Sequence, residues 1–316
     1  MSDRARLLVS YLLRGREANE IDGLRRAFGS SEIDRIVPHL TVLPPVNIDG
    51  GLVSLACAQI EEAVCGCDPI EIGLSGVETF APDHHVIYFR VTGETDRLDW
   101  LREACNTGVL QTTSRRPYVA HVTLRSHADP VLVAVAKRLL KDFTMSLTVD
   151  QLGILRIDET SSDRRWVCVD EIVLGSKFTS GRGGREIVLT RATIVGPRDV
   201  ALLLRNNVEA GDREPGREMV IRASIEGELI GLVLVHNHGE LLEITNLVVD
   251  HTHRRQGVAR QLIGYLERCA IELGCREVYA DLRPDDAAFF LVNGFVMSVA
   301  RSHRSDLVRV LRSQTQ

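Results

Sequence analysis

Apolar positions along the chain switch between two periods. Leu7 to Leu13 is a strand-like run, and after it Ile21, Leu24 and Phe28 recur at steps of three and four, one face of a helix. Leu52, Leu55, Ala56, Gln59 and Ala63 share a second helical face, and further helices are expected near Leu98 to Cys105 and Leu132 to Leu139. Between them lie β-type stretches at Ile70 to Phe80, Val86 to Val91, Val119 to Leu124, Met145 to Ile157 and Trp166 to Leu174. Small and turn-forming residues then crowd into Ser176 to Gly184 (SKFTSGRGG), which reads as a flexible linker. Beyond it come a strand at Glu186 to Ile194, a short helix near Asp199 to Asn206, and three successive strands at Met219 to Ile225, Leu229 to Val235 and Leu241 to Val249. A long helix, a strand at Glu277 to Leu282, a short helix and a closing pair of strands follow.

This order predicts an α+β fold in two domains, residues 1–175 and 185–316, joined by 176–184. In the first domain the succession of strand, helix, short strand and helix occurs twice, which suggests an internal duplication. In the second, three adjacent strands before a helix suggest a mostly antiparallel sheet with one parallel crossover.

A length of 316 residues fits two domains of roughly 150 each. With 44% hydrophobic and 26% charged residues, the composition excludes large-scale disorder. The longest apolar runs fall short of the roughly 20 residues that cross a bilayer, and the N-terminal MSDRAR lacks the apolar segment of a secretory signal. A cytoplasmic protein without a membrane partner is expected. The seven cysteines are odd in number, scattered and free of CxxC pairs, which argues against a disulfide framework and a zinc site. Residues 1–175 carry 19 Lys and Arg against 25 Asp and Glu, and residues 176–316 carry 19 against 18, so neither half offers a broad cationic surface to duplex nucleic acid. A nucleotide end or a small molecule fits better.

His39-Leu40-Thr41-Val42 and His121-Val122-Thr123-Leu124 share one pattern. On a strand, each His projects with its Thr while the aliphatic residues enter the core. If the two halves pack about a pseudo-twofold axis, two imidazoles and two hydroxyls converge on one anion-sized site. Opening a cyclic phosphate needs one group to take a proton from water and another to give one to the leaving oxygen, and histidine does either near neutrality. The hydroxyls can hydrogen-bond the charge that builds on the non-bridging oxygens, and no metal is required. Chance alone gives about 0.5 His-x-Thr triplets at this composition, so two unrelated structural histidines are the alternative. The strand context and Pro44-Pro45 after the first triplet favour a functional pair.

The stretches PHLTVLPP and YVAHVTLRS resemble the signature strands of the two-histidine (2H) phosphoesterases, which include RNA 2′,3′-cyclic phosphodiesterases and 2′-5′ RNA ligase-like proteins. The resemblance covers roughly residues 5 to 175. It implies that His39 and His121 are the acid/base pair, that Thr41 and Thr123 bind phosphate, and that the partner is a nucleotide or RNA end with a cyclic or 2′-5′ phosphodiester. Arg125, followed by Ser126, departs from the usual basic residue just past the second motif. Tyr11, on the first strand, either faces the same groove or lies in the core.

In the second half, the strand-like Glu243 to Val249 precedes Arg254-Arg255-Gln256-Gly257-Val258-Ala259, which opens a helix with apolar Val258, Leu262, Leu266, Cys269 and Leu273. Unpaired N–H groups at such a helix start, with no side chain at Gly257, form an anion site, although a βα connection with a solvated basic corner looks the same. The run from Glu243 through Phe295 resembles the GNAT acetyltransferase superfamily, over about residues 185 to 312. That resemblance implies acetyl-CoA as cofactor. Leu247, Val248 and Val249 would meet its pantetheine, and Arg254, Arg255, Gln256, Gly257, Val258 and Ala259 would hold its diphosphate. It further implies Glu243 as general base for an amine acceptor. Phe290 stands where a tyrosine often protonates the thiolate, and Pro284-Asp285 replace a common asparagine. The connection from Ile194 to Met219, which normally walls the acceptor site, is short.

His236-x-His238 and His251-x-His253 read as solvated loop histidines without a carboxylate in register, His84-His85 as a turn, and Cys65-Gly66-Cys67 as wrongly spaced for redox chemistry. No metal is expected. The leading expectation is a bifunctional hydrolase and N-acetyltransferase. One alternative is a transferase whose first domain only binds a nucleotide-like acceptor. Another is a catalytically silent sensor of acetyl-CoA.

Overall fold

The computed structural model describes residues 4–82, 84–113, 117–175, 178–180, 187–208, 217–281, 287–297 and 306–310. The chain divides into two units, Met1–Gly175 and Ser176–Gln316.

The first unit runs β1 (Arg4–Leu12), α1 (Gly15–Ala27), β2 (His39–Asp49), α2 (Val53–Ala63), β3 (Ile70–Phe80), β4 (His84–Gly93), α3 (Thr95–Cys105), β5 (His121–Arg125), α4 (Pro130–Leu139), β6 (Thr144–Val149), β7 (Gln151–Ile157) and β8 (Trp166–Val173). The strands form one sheet in the order β6-β3-β4-β5-β2-β1-β7-β8. Two four-strand halves therefore meet at β5 and β2, with β1-α1-β2-α2 matched by β4-α3-β5-α4. This is the topology of a duplicated unit.

Period-two alternation sorts the side chains of these strands. Leu7, Val9, Leu40, Val42, Phe89, Val122 and Leu124 are buried in one cluster with Ile21, Ala56, Leu101 and Ala136 of the four helices. Each such side chain contributes about 1.5–3 kcal/mol on burial. The opposite face carries the polar residues of the two motifs and a smaller cluster of Leu8, Leu12, Ile36 and Leu155, against which Trp166 packs. Tyr11 pairs with Leu40 and lies in the larger cluster, so it belongs to the core rather than to the groove.

Two sequence readings are corrected here. Met145 to Ile157 reads as one stretch but breaks at Asp150 into β6 and β7, which pair with β3 and β1 in opposite halves. His84-His85 opens β4, with His84 paired to Phe80, instead of forming a turn.

The second unit runs β9 (Phe178–Ser180), β10 (Ile187–Ala192), α5 (Pro197–Arg205), β11 (Glu218–Ile225), β12 (Glu228–Asn237), β13 (Leu241–Val249), α6 (Val258–Glu272), β14 (Glu277–Asp281), α7 (Ala287–Val292), β15 (Val296–Met297) and β16 (Asp306–Val310). The linker expectation is corrected at Phe178–Ser180, which pair with β10; the rest of Ser176–Gly184 lies outside the described residues. The sheet order is β15-β16-β14-β13-β12-β11-β10-β9, antiparallel throughout except for β13 and β14, which α6 connects in parallel. A side chain at Gly231 would press within 3.1 Å of the Val248 carbonyl and Val258, so glycine there lets α6 settle onto β12. The fully buried Arg222 of β11 donates to both carboxylate oxygens of Asp199, which also accepts the Gly196 N–H and so anchors the start of α5.

Among the described residues no helix is long and apolar enough to cross a membrane. All seven cysteines are free, and five of them are buried.

Candidate functional sites

In the first unit β2 and β5 pair through Leu40 and Val122. Antiparallel register about that pair sets His39 opposite Thr123 and Thr41 opposite His121. Directly opposed side chains lie about 4.5–5.5 Å apart at Cβ and diagonal ones about 7–8 Å. The four motif residues therefore share one face, with the two imidazoles diagonal to each other across the strand pair.

Both rings are held alike. His39 Nδ1 lies 2.9 Å from the Val37 carbonyl, and His121 Nδ1 lies 2.7 Å from the Val119 carbonyl. A carbonyl only accepts, so each Nδ1 carries the proton and donates it, leaving Nε2 as the basic nitrogen of the neutral ring. Burial pushes the His39 pKa down to about 4, and the charges of Arg25 and His121 push in the same direction. Burial also lowers His121, against the hydrogen bond to Val119. A proton on His121 disfavours one on His39, so the two rings resist carrying charge together.

The surroundings of the two histidines differ. His121 is packed edge-on by Phe80 and Tyr88, with centroids at 5.1 and 5.2 Å, and those two rings stack at 4.3 Å. His39 and Thr41 instead open into a cavity of about 280 Å³ that Arg6, Arg35, Arg164 and Trp166 also line. None of these six flanking residues stands in either motif. Phe80 and Tyr88 reach His121 through pairing of β3, β4 and β5, and the arginines converge from three separate segments. Arg125 does not face phosphate: its Nη1 donates to the Phe28 and Gly29 carbonyls, tying β5 to the end of α1.

In the second unit β13 pairs with β14 over Leu241 to Ile244 among the described residues, so Leu247, Val248 and Val249 bond to β12 on one edge and lie beyond that ladder on the other. A register shift at Thr245 marks the bend. An edge so freed can hydrogen-bond an extended ligand. Gly257 caps α6 in a left-handed conformation, φ 87°, with no neighbour within 4 Å of its missing Cβ. The first helical bond runs from Gln261 N–H to the Gly257 carbonyl, which leaves the preceding N–H groups for an anion. The side chains behave otherwise than expected. Arg254 donates to the Val249 carbonyl and Asn206, and Gln256 to the Thr252 carbonyl, so both brace the turn.

Glu243 is not a lone carboxylate. It pairs across the sheet with His236, its Oε2 lies 2.9 Å from His238 Nε2, and Tyr279 neighbours it in β14. The reading of His236 and His238 as lacking a carboxylate in register is thereby corrected: ligand atoms of the three residues lie within 4.8 Å of one another and could hold a divalent cation. The strand register, invisible in the linear spacing, makes this cluster. Phe290 is buried against Phe289 and Phe295 and offers no proton. Pro284 and Asp285 lie outside the described residues.

Comparison with known proteins assigns the two segments. Residues 15–161 match the 2'-5' RNA ligase superfamily, and residues 193–295 match the acetyltransferase (GNAT) family. The chain therefore carries a phosphoesterase-like domain followed by a GNAT domain. Over 167 residues it is 24% identical to a Staphylococcus epidermidis protein provisionally named a phosphoesterase, covering 50% of this chain and 92% of that one. A Staphylococcus haemolyticus protein of the same provisional name is 24% identical over 161 residues, covering 49% and 91%. A GNAT family N-acetyltransferase from Escherichia coli, solved in complex with CoA, is 20% identical with a TM-score of 0.35, covering 42% of this chain and 86% of that chain.

Proposed function

We propose that the chain is a bifunctional enzyme: a hydrolase of 2′,3′-cyclic or 2′-5′ nucleotide phosphodiesters, fused to an N-acetyltransferase that uses acetyl-CoA. The observation that carries the first activity is the paired geometry of His39-Thr41 and His121-Thr123 across Leu40 and Val122. His39, the ring whose pKa lies near 4, acts as base: its Nε2 takes a proton from water as the oxygen attacks phosphorus. His121 acts as acid from its imidazolium form, with Nδ1–H still bonded to the Val119 carbonyl: its Nε2 proton passes to the ribose oxygen as the phosphorus–oxygen bond breaks, leaving a phosphomonoester. The Thr41 and Thr123 hydroxyls donate to the non-bridging oxygens. These four groups supply acid, base and charge stabilisation, so turnover should persist in chelator.

The second activity is supported by the freed edge of β13, the open start of α6 and the GNAT match over residues 193–295. Backbone groups of Leu247 to Val249 would meet the pantetheine of acetyl-CoA, and the N–H groups from Gly257 to Ala259 its diphosphate. Bound acetyl-CoA supplies the activated acyl group. Glu243, hydrogen-bonded to His238, would take the proton from the acceptor amine.

One screen by mass spectrometry tests both: the purified chain with nucleoside 2′,3′-cyclic phosphates, and with amines plus acetyl-CoA. We expect a phosphomonoester in the first arm and an acetylated amine in the second. Glu243→Gln should slow transfer by about 10²–10⁴-fold and leave hydrolysis intact. Nucleotide binding without any product would defeat the hydrolase assignment.

A further inference from the structure

The cavity beside His39 has more positive charge than one scissile phosphate requires. Arg6 stands on β1, Arg35 on the segment before β2, and Arg164 on the turn between β7 and β8. Glu32 is the one acidic residue in the lining, so three guanidinium groups face one carboxylate in a half of the chain that is net acidic. Arg6 and Arg35 form no ion pair with any described residue, and Arg164 reaches Glu159 only at 3.5 Å. The fourth wall is Trp166, half-buried against Leu8 and Leu12, so one part of its ring is fixed by packing and the rest remains available.

The placement is built rather than incidental. The Trp166 backbone N–H donates to the Arg35 carbonyl at 2.9 Å, which sets the two residues side by side. Arg25, almost fully buried, donates to the Glu32 and Ile36 carbonyls and so fixes the segment that carries Arg35. Arg164 adopts φ 49°, a left-handed conformation that few non-glycine residues take. Arg6, Arg164 and Trp166 fall outside residues 15–161, the segment matched to the superfamily.

Guanidinium groups bind phosphate oxygens in forked pairs, and an indole face stacks any nucleobase. We propose that this cavity is a subsite for a second nucleotide: Trp166 stacks its base, and Arg6, Arg35 and Arg164 bind the phosphodiester that links it to the terminal ribose. The substrate is then the end of an oligonucleotide carrying a 2′,3′-cyclic phosphate, in preference to the free cyclic mononucleotide. A volume of about 280 Å³ accommodates one such unit and no duplex. The inference rests on the phosphodiesterase reading above.

The test compares kcat/KM for uridine 2′,3′-cyclic phosphate with that for the uridylyl-uridine dinucleotide bearing the same cyclic end. Wild-type protein should favour the dinucleotide by about tenfold or more, in line with one stacked base. Arg35→Ala, at an exposed position, and Trp166→Leu, which keeps an apolar side chain against Leu8 and Leu12, should each cut the dinucleotide value by about 5- to 150-fold. Mononucleotide turnover should move by less than about twofold, because ground-state contacts to the second unit are absent from it. Equal values for the two substrates in wild type, or a preference that survives both substitutions, would overturn the subsite. If neither substrate is hydrolysed, the phosphodiesterase reading fails separately. Equilibrium binding of uridylyl-uridine 3′-phosphate against uridine 3′-phosphate then decides the subsite: a dinucleotide preference lost in both variants supports it, and equal affinities sink it.

Discussion

The two His-x-Thr strands are close copies in sequence, and their backbones treat the histidines identically, each Nδ1 donating to the carbonyl two residues before it. Their neighbourhoods have diverged. His121 is clamped by two aromatic rings, whereas His39 borders an open, arginine-lined cavity. A duplicated fold thus supplies two imidazoles held in the same way, while the side chains around them break the symmetry and give the site a direction. One imidazole is packed by aromatic rings, and the other lines an open cavity.

The largest effect should come from removing either ring. His39→Ala and His121→Ala should each lower kcat/KM for a cyclic nucleotide by about 10²–10⁴-fold, measured by phosphomonoester release. A large loss in one variant and none in the other would mean that the two halves do not share proton transfer. A smaller effect should separate the halves. Phe80→Ala removes an aromatic contact of about 0.5–1.5 kcal/mol from His121. It should slow turnover by about 2- to 10-fold and broaden the His121 ring signals in NMR spectra while leaving those of His39 unchanged. Equal broadening of both rings would erase the contrast drawn above.

The smallest effect concerns stability against pH. With a folded pKa near 4 against about 6.5 unfolded, His39 binds more proton in the unfolded chain across that window, so its contribution is complete above about pH 6.5 and is lost as pH falls toward 4. His39→Asn should therefore flatten the decline of Tm between pH 6.5 and 4. An unchanged slope would show that the ring is not held neutral by burial.

Much of this architecture is legible in the linear chain. Alternation around Leu40 and Val122 assigns each His and Thr to the polar face of its strand, because a strand's side chains must point to opposite sides. The helix after Gly257 is legible for a similar reason, since Val258, Leu262 and Leu266 repeat with the helical period and are buried. Asp150 shows where that reading fails. Apolar spacing continues through it, yet β6 and β7 pair in opposite halves of the sheet, and hydrogen-bond partners distant in sequence made that choice. Glu243 shows the same limit: its nearness to His236 and His238 depends on how β12 and β13 are registered, including the shift at Thr245.

What the amino-acid order decides here is local: which residues can form strand or helix, which face of each is apolar, and that two matching His-x-Thr units occur. Tertiary structure alone decides which units meet, which arginine serves a carbonyl, as Arg125 does, and which faces a cavity, as Arg35 does. The reason is physical. Periodicity reports the orientation of a side chain relative to its own backbone, whereas a site is a set of distances between backbones, fixed by strand pairing and core packing across more than a hundred residues of chain.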